Sequence, residues 1–240
     1  MQSSQPIGPS GSGYEVVEQA GVKIPLDPAL MSPTILSVIR EGRYETGEAK
    51  VLLAVIEEGE RIVELGGGIG FLSSLAYLQG KTEAIVVVEA HPELIPVIKA
   101  THQLNGVRGD VRHAVAAPRR SAGTLPFYMH NDFWGSSLSP LKKRHLKGVA
   151  QVAVVGLDEL VETYAPTMMI IDVEGGEADL LDGVSLRGVN KVLMEIHPKV
   201  IGPAGVKKVF DALSLEGFAY DPWTSMRAVV MFRRVDIPPI

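Results

Sequence analysis

The sequence predicts a single α/β domain: a mostly parallel β-sheet with helices on both faces, closed by an antiparallel hairpin strand. Three observations predict it. Strand-length apolar runs alternate with helical patterns from Glu48 to Leu215, the pattern that builds a parallel sheet. A glycine-rich turn, Gly66 to Gly70, stands between an apolar run and a helical one. The last two extended runs, Phe218 to Asp221 and Ala228 to Arg233, are joined by a short loop. A loop that short cannot make a parallel crossover, so the final strand runs antiparallel to its neighbour.

Each element has its own reason. Met1 to Gly13 is rich in Ser, Gly, Pro and Gln and reads as disordered, which leaves residues 14–240 as the domain. Glu48 to Ile56 places Val51, Leu52, Val55 and Ile56 at helical spacing. Ile62 to Leu65 is the first strand, Phe71 to Leu78 a helix and Ala84 to Val88 the second strand. Ile95 to Leu104 is helical, with Pro96 in its first turn and Asn105-Gly106 ending it. Val111 to Ala116 reads as a third strand, and Leu125 to Met129 and Gln151 to Val155 as extra strands. Leu157 to Tyr164 puts Leu157, Leu160, Val161 and Tyr164 on one helical face. Thr167 to Asp172 and Lys191 to Ile196 are the fourth and fifth strands, and Val206 to Leu215 is an amphipathic helix. Trp223 and Met226, in the closing hairpin, read as core or as an oligomer contact.

Composition excludes several classes. At 240 residues the chain fits one domain with a full core. It has no cysteine, hence no disulfide, thiolate metal site or cysteine nucleophile. No apolar run approaches the roughly 20 residues of a membrane span, and no basic segment precedes an apolar one at the N-terminus. A cytoplasmic protein is expected. The net charge of −5 speaks against nucleic acid as a partner, and the cluster Lys142, Lys143, Arg144, His145 and Lys147 reads as a solvated face. Oligomeric state stays open.

The glycine spacing selects the ligand. A dinucleotide site built on G-x-G-x-x-G would need glycines at 66, 68 and 71, where a pyrophosphate sits on the helix N-terminus. Position 71 is Phe71, and Glu64 would repel a pyrophosphate. The tighter Gly66-x-Gly68-x-Gly70 suits a nucleoside without phosphate, such as S-adenosylmethionine. Glu89 then closes the second strand about where a ribose-binding acid belongs, some 20 residues after the glycines. An NAD-dependent oxidoreductase is opposed by Phe71 and by the terminal hairpin. A catalytically silent nucleoside-binding module is the other rival.

Three further pieces carry a family resemblance: Gly42-Arg43-Tyr44-Glu45 ahead of the glycine turn, Gly135-Ser136-Ser137-Leu138 in the middle, and Asp172-Val173-Glu174-Gly175-Gly176-Glu177 followed by Leu180-Leu181-Asp182-Gly183. Over about Ile39 to Pro198 the chain resembles the FkbM-type methyltransferases. The family's first motif usually reads Asp-Val-Gly-Ala-Asn-Ile-Gly; here Glu64 stands for the Asp and Gly67-Gly68 for Ala-Asn. The resemblance implies the seven-stranded, Rossmann-like class I methyltransferase fold, S-adenosylmethionine as cofactor and, in most members, O-methylation.

Roles are expected as follows. Glu64 reaches the ligand's ammonium group, and the backbone of Gly66, Gly68, Gly70 and Phe71 lies against the ligand. Glu89 accepts the ribose hydroxyls. Ala90, with His91, flanks the adenine together with His113 and Ala114, although His113 reads equally as a surface histidine. Tyr44 and Glu45 close over the methionine end. Asp172 and Glu174 end the fourth strand at the transferable methyl, on one face if the strand continues. His197, oriented by a carboxylate, is the expected base for a hydroxyl acceptor. Glu177 reads as a helix-opening acid. His130, Trp134 and Ser136 belong to a substrate-facing loop, where Trp134 either stacks on the acceptor or anchors the loop. Asp172, Glu174, Glu195, His197 and the segment His130-Asn131-Asp132 carry oxygen-rich donors, but their spacing is not diagnostic and no metal is expected. The acceptor is expected to be a small hydroxylated molecule such as a sugar or polyketide.

Overall fold

The computed structural model describes residues 15–119, 123–139 and 146–235. Met1 to Gly13 and four members of the basic cluster (Lys142, Lys143, Arg144, His145) lie outside them. Lys147 is described and pairs with Glu93 at 2.5 Å.

The chain opens with a hairpin that the sequence pattern does not predict. Strands β1 (Glu15–Gln19) and β2 (Val22–Leu26) pair antiparallel across Ala20-Gly21. Both turn residues have positive φ (51° and 83°), as a two-residue turn matched to strand twist requires. Helix α1 (Pro33–Arg40) is capped by Ser32, whose hydroxyl accepts the Ile35 N–H, with proline in its first turn. Then follow α2 (Thr46–Val55), β3 (Glu60–Leu65), α3 (Phe71–Leu78), β4 (Thr82–Glu89) and α4 (Leu94–Asn105). Gly106 closes α4 in the left-handed region.

The expected third strand is two strands. β5 (Asp110–His113) pairs with β4 until β4 ends at Glu89, opposite His113. The chain leaves the sheet at Ala114, and β6 (Val115–Ala117) pairs with a different partner. That partner is β8 (Leu146–Gly156), which also pairs antiparallel with β7 (Thr124–His130), so the extra strands form their own three-stranded sheet. Next come α5 (Leu157–Tyr164), β9 (Met168–Ile171), α6 (Glu177–Leu180), β10 (Lys191–Glu195), α7 (Pro198–Leu215, kinked at Gly202), β11 (Phe218–Tyr220) and β12 (Val229–Arg234).

The main sheet has seven strands in the order β11-β12-β10-β9-β3-β4-β5. β12 runs antiparallel to both neighbours and the other pairs are parallel. Strand alternation splits its side chains between two cores. Ile62, Ile85, Val87, Met168, Ile170 and Leu193 face the side covered by α2, α3, α4 and the N-terminal hairpin. Val63, Leu65, Val86, Val88, Met169, Ile171, Val192 and Met194 face the side covered by α5, α6 and α7.

The two ends of the sheet differ in chemistry. At the strand starts, Lys191 Nζ lies 2.5 Å from Glu60, 2.7 Å from Glu57 and 2.9 Å from the Val55 carbonyl, and Thr167 donates its hydroxyl to Glu60. Lys191 and Glu60 are almost fully buried, so this clamp joins α2, β3, β10 and the entry to β9. At the opposite, carboxyl ends of β3, β4, β9 and β10 the sheet opens into a cavity.

Candidate active site

The cavity measures about 1090 Å³ and is lined by the glycine turn and by the ends of β4, β9 and β10. Ligands of open α/β sheets bind at this end. Gly66 is held in close contact: a Cβ there would lie 1.7 Å from the Asp172 carbonyl oxygen, and its φ is +86°. Only glycine lets β3 hand over to the turn with β9 pressed against it. Gly68 is roofed by the Tyr44 hydroxyl, 2.7 Å from where a Cβ would stand, and by Glu45. Glu45 itself has φ +44°, a left-handed conformation that costs a non-glycine residue about 1 kcal/mol or more. That strain turns its carboxylate inward, where burial raises its pKa well above the usual range.

Glu89 ties the turn to the second strand. One carboxylate oxygen accepts the Gly68 N–H at 3.0 Å and the other the His91 N–H at 2.6 Å. Burial pushes its pKa up to about 7 even though these backbone donors favour the charge. Beside it, Ala90, His91 and Ala114 line the cavity. Burial lowers His91 to about 4, so this ring presents a neutral face.

Asp172, Glu174 and Glu195 line the far part of the cavity and surround His197. Its Nε2 lies 3.5 Å from Glu174, 3.7 Å from Asp172 and 4.0 Å from Glu195. Its Nδ1 is 2.5 Å from Glu177, which is completely buried. β9 stops at Ile171, and Glu174 has φ +51°, so a tight turn and not continued strand alternation brings Asp172 and Glu174 to the same ring. Burial and the charges of Glu195 and Glu174 raise Asp172 well above its usual range. Burial and Glu48 raise Glu195 to about 7. For His197 burial works downward, but the Glu177 hydrogen bond and the charges of Glu174 and Asp172 prevail and lift it to about 9. One donor atom each from Asp172, Glu195 and His197 lies within 4.8 Å of the others, a set that could also hold a cation.

The FkbM methyltransferase domain profile matches residues 64–220, more than half of the chain. The chain belongs to the FkbM methyltransferase family. It is an S-adenosylmethionine-dependent methyltransferase by that membership. No curated protein sequence matches it. Among solved structures it resembles Pyrococcus horikoshii TYW2 in complex with MeSAdo (13% identity, 92% of this chain and 70% of that one, TM-score 0.49). It also resembles M. jannaschii TYW2 in complex with AdoMet (11%, 94% and 89%, 0.47) and a protein of the NADB-Rossmann superfamily from Streptococcus agalactiae (14%, 81% and 70%, 0.48).

Several expected site residues of this methyltransferase lie away from the cavity wall. Glu64 shares its face of β3 with Ile62, so alternation turns it under α3. It is 1% exposed, one of its oxygens has no partner, and burial raises it to about 8 despite Ser73. Glu45, not Glu64, presents a carboxylate at the glycine turn. Gly70 answers to packing: a Cβ would press on the Ile98 backbone at 3.2 Å, and the residue caps α3 with φ +78°. Phe71 is core, edge-on to Tyr44 at 5.9 Å. His113 is exposed, with its ring 3.1 Å from the Ala90 carbonyl outside the cavity. His130 is buried with Nε2 unpartnered, while its backbone N–H donates to Ser136, which does line the cavity. Trp134 both packs on the core beside Phe133 and borders the cavity. Trp223 is 93% exposed and so is not core, whereas Met226 borders the cavity. Glu177 is not a solvated helix opener. His91, two residues past the end of β4, and Glu195, the last residue of β10, both sit at the functional edge that Glu89 marks.

Proposed function

We propose that this protein O-methylates a hydroxyl group of a small molecule such as a sugar or polyketide. The observation that carries the reading is the ring of cavity-lining carboxylates around His197, set at the strand ends beside the Gly66 and Glu89 walls. An acid-lined cavity suits a ligand bearing a sulfonium and an ammonium group, and its glycine turn offers no pyrophosphate seat. When bound, S-adenosylmethionine supplies a methyl whose carbon–sulfur bond breaks onto sulfur as a carbon–oxygen bond forms to the acceptor.

The chain's own residues do the rest. Glu89 accepts ribose hydroxyls with the lone pairs that Gly68 and His91 leave free. Ala90, His91 and Ala114 flank the base. Tyr44 and Glu45 close the methionine end over Gly68. Asp172 and Glu174 hold the acceptor, and His197 takes its proton on Nε2. Trp134 and Ser136 border the acceptor's entry. The net charge of −5 and the acidic lining support a small acceptor over a polyanionic nucleic acid. In this reading the transfer runs without a metal, with neutral His197 as the base.

His197→Ala tests this. With S-adenosylhomocysteine binding intact by calorimetry, methyl transfer to a responsive member of a hydroxylated panel should fall by about 10²-fold or more. Undiminished turnover would remove the base. Binding without turnover of any panel member by the wild type would favour a silent binding module.

A further inference from the structure

We propose that Glu177 is the positioning residue of this site: it fixes the His197 proton on Nδ1 and so turns Nε2 toward the acceptor. The inference rests on His197 being the base.

Glu177 opens α6, where a solvated carboxylate would suffice to favour the helix. Yet its side chain is wholly buried. One oxygen, Oε1, lies 2.5 Å from His197 Nδ1 and accepts the Gly175 N–H at 3.1 Å. The other, Oε2, is buried without a partner. With Glu177 ionised its oxygens accept and cannot donate, which puts the proton of this contact on Nδ1. Nε2 is then the nitrogen that faces the carboxylates lining the cavity, while His197 itself stands behind them. The groups facing it are Asp172 and Glu174 from the turn after β9 and Glu195 from the end of β10. Glu48 on α2 acts on Asp172 and Glu195 from the opposite wall.

Backbone geometry guards the pair. Gly175 has φ +103°, and a Cβ there would stand 2.4 Å from Val200 Cγ1 on the first turn of α7. The turn carrying Glu177 is therefore packed directly on the helix that His197 caps, and neither partner can drift without opening that contact. A histidine tautomer held by a buried carboxylate is the usual means by which such a base keeps its orientation.

The test uses the full chain labelled with ¹⁵N-histidine, with the His197 signal assigned by its loss in His197→Gln. In the wild type the ring should titrate near pH 9 and hold its proton on Nδ1 above that. In Glu177→Gln the midpoint should fall by about one pH unit or more, and the neutral ring should become a tautomer mixture. Methyl transfer should fall by about 10²-fold in kcat, with KM for S-adenosylmethionine within about threefold. An unchanged midpoint and tautomer, or unchanged kcat, would overturn the proposal. If Glu177→Gln no longer binds S-adenosylhomocysteine, the same readouts in Glu177→Asp decide: a retained carboxylate should preserve the Nδ1 tautomer, and its loss would count against the proposal. The two layers separate cleanly. Turnover surviving in His197→Ala removes the base and this inference together, whereas a dead His197→Ala beside a normal Glu177→Gln removes only the inference.

Discussion

Replacing Glu89 with glutamine should weaken nucleoside binding while making the free protein more stable above neutral pH. Glu89 is 6% exposed, and its pKa stands at about 7 against an ordinary 4.5. At about 1.36 kcal/mol per pH unit, ionising it inside the fold costs about 3 kcal/mol. The sign follows from the raised value: the contribution to stability is complete below pH 4.5 and is lost as pH rises through about 7. Glutamine escapes that loss. It offers one acceptor oxygen where the carboxylate offers two, so either the Gly68 or the His91 N–H loses its partner, at about 1 kcal/mol. The variant should thus be more stable than wild type by about 2 kcal/mol at pH 8, a rise of about 4–8 °C in Tm, and less stable by about 1 kcal/mol at pH 4. Binding moves the other way. Two hydroxyls bonded to a carboxylate are worth about 1.5–3 kcal/mol each, so the Kd for S-adenosylhomocysteine should rise at least about tenfold. Thermal melts between pH 4 and 9 and calorimetry at pH 8 read both effects. Parallel melting curves, or an unchanged Kd, would refute the reasoning.

Other perturbations follow from the same geometry. Gly66→Ala must displace the Asp172 carbonyl by more than 1 Å and hold an L-residue at φ +86°, so it should cost about 3 kcal/mol or more; a melt within 2 °C of wild type would show the contact to be soft. Because His197 stands near pH 9 in the free protein, kcat/KM should climb about tenfold per pH unit below that value and level off above it. A flat profile from pH 6 to 9 would place the proton transfer elsewhere. Prolonged dialysis against EDTA should leave turnover within about twofold, and a loss restored by one divalent cation would instead assign Asp172, Glu195 and His197 to a metal.

The framework of the site was legible because its signals are local. The strand from Ile62 to Leu65, glycines at 66 and 68 and a carboxylate at 89 are all read from spacing, and the fold ties the turn to the acid through the Gly68 N–H to Glu89 hydrogen bond. Glu64 shows a signal present but unused. Counting alternately from Ile62 puts it on the α3 face, whereas proximity to the turn suggested the ligand. The hairpin of β1 and β2 was hidden by its brevity and by Pro25 within it. The break at Ala114 depends on where β4 ends and on β8 waiting some 40 residues downstream, and no local pattern encodes that. The role of Glu177 is equally non-local. A helix start explains an acid there, and its partner lies 20 residues away on another element.

The clamp of Lys191, Glu60, Glu57 and Thr167 sits at the blunt edge of the sheet, a full strand length from the chemistry. Durability and turnover are therefore lodged at opposite poles of one slab, and selection or engineering can adjust either alone. Swapping Lys191 and Glu60 for matched apolar residues offers a route to a hardier scaffold that leaves the reactive pole untouched.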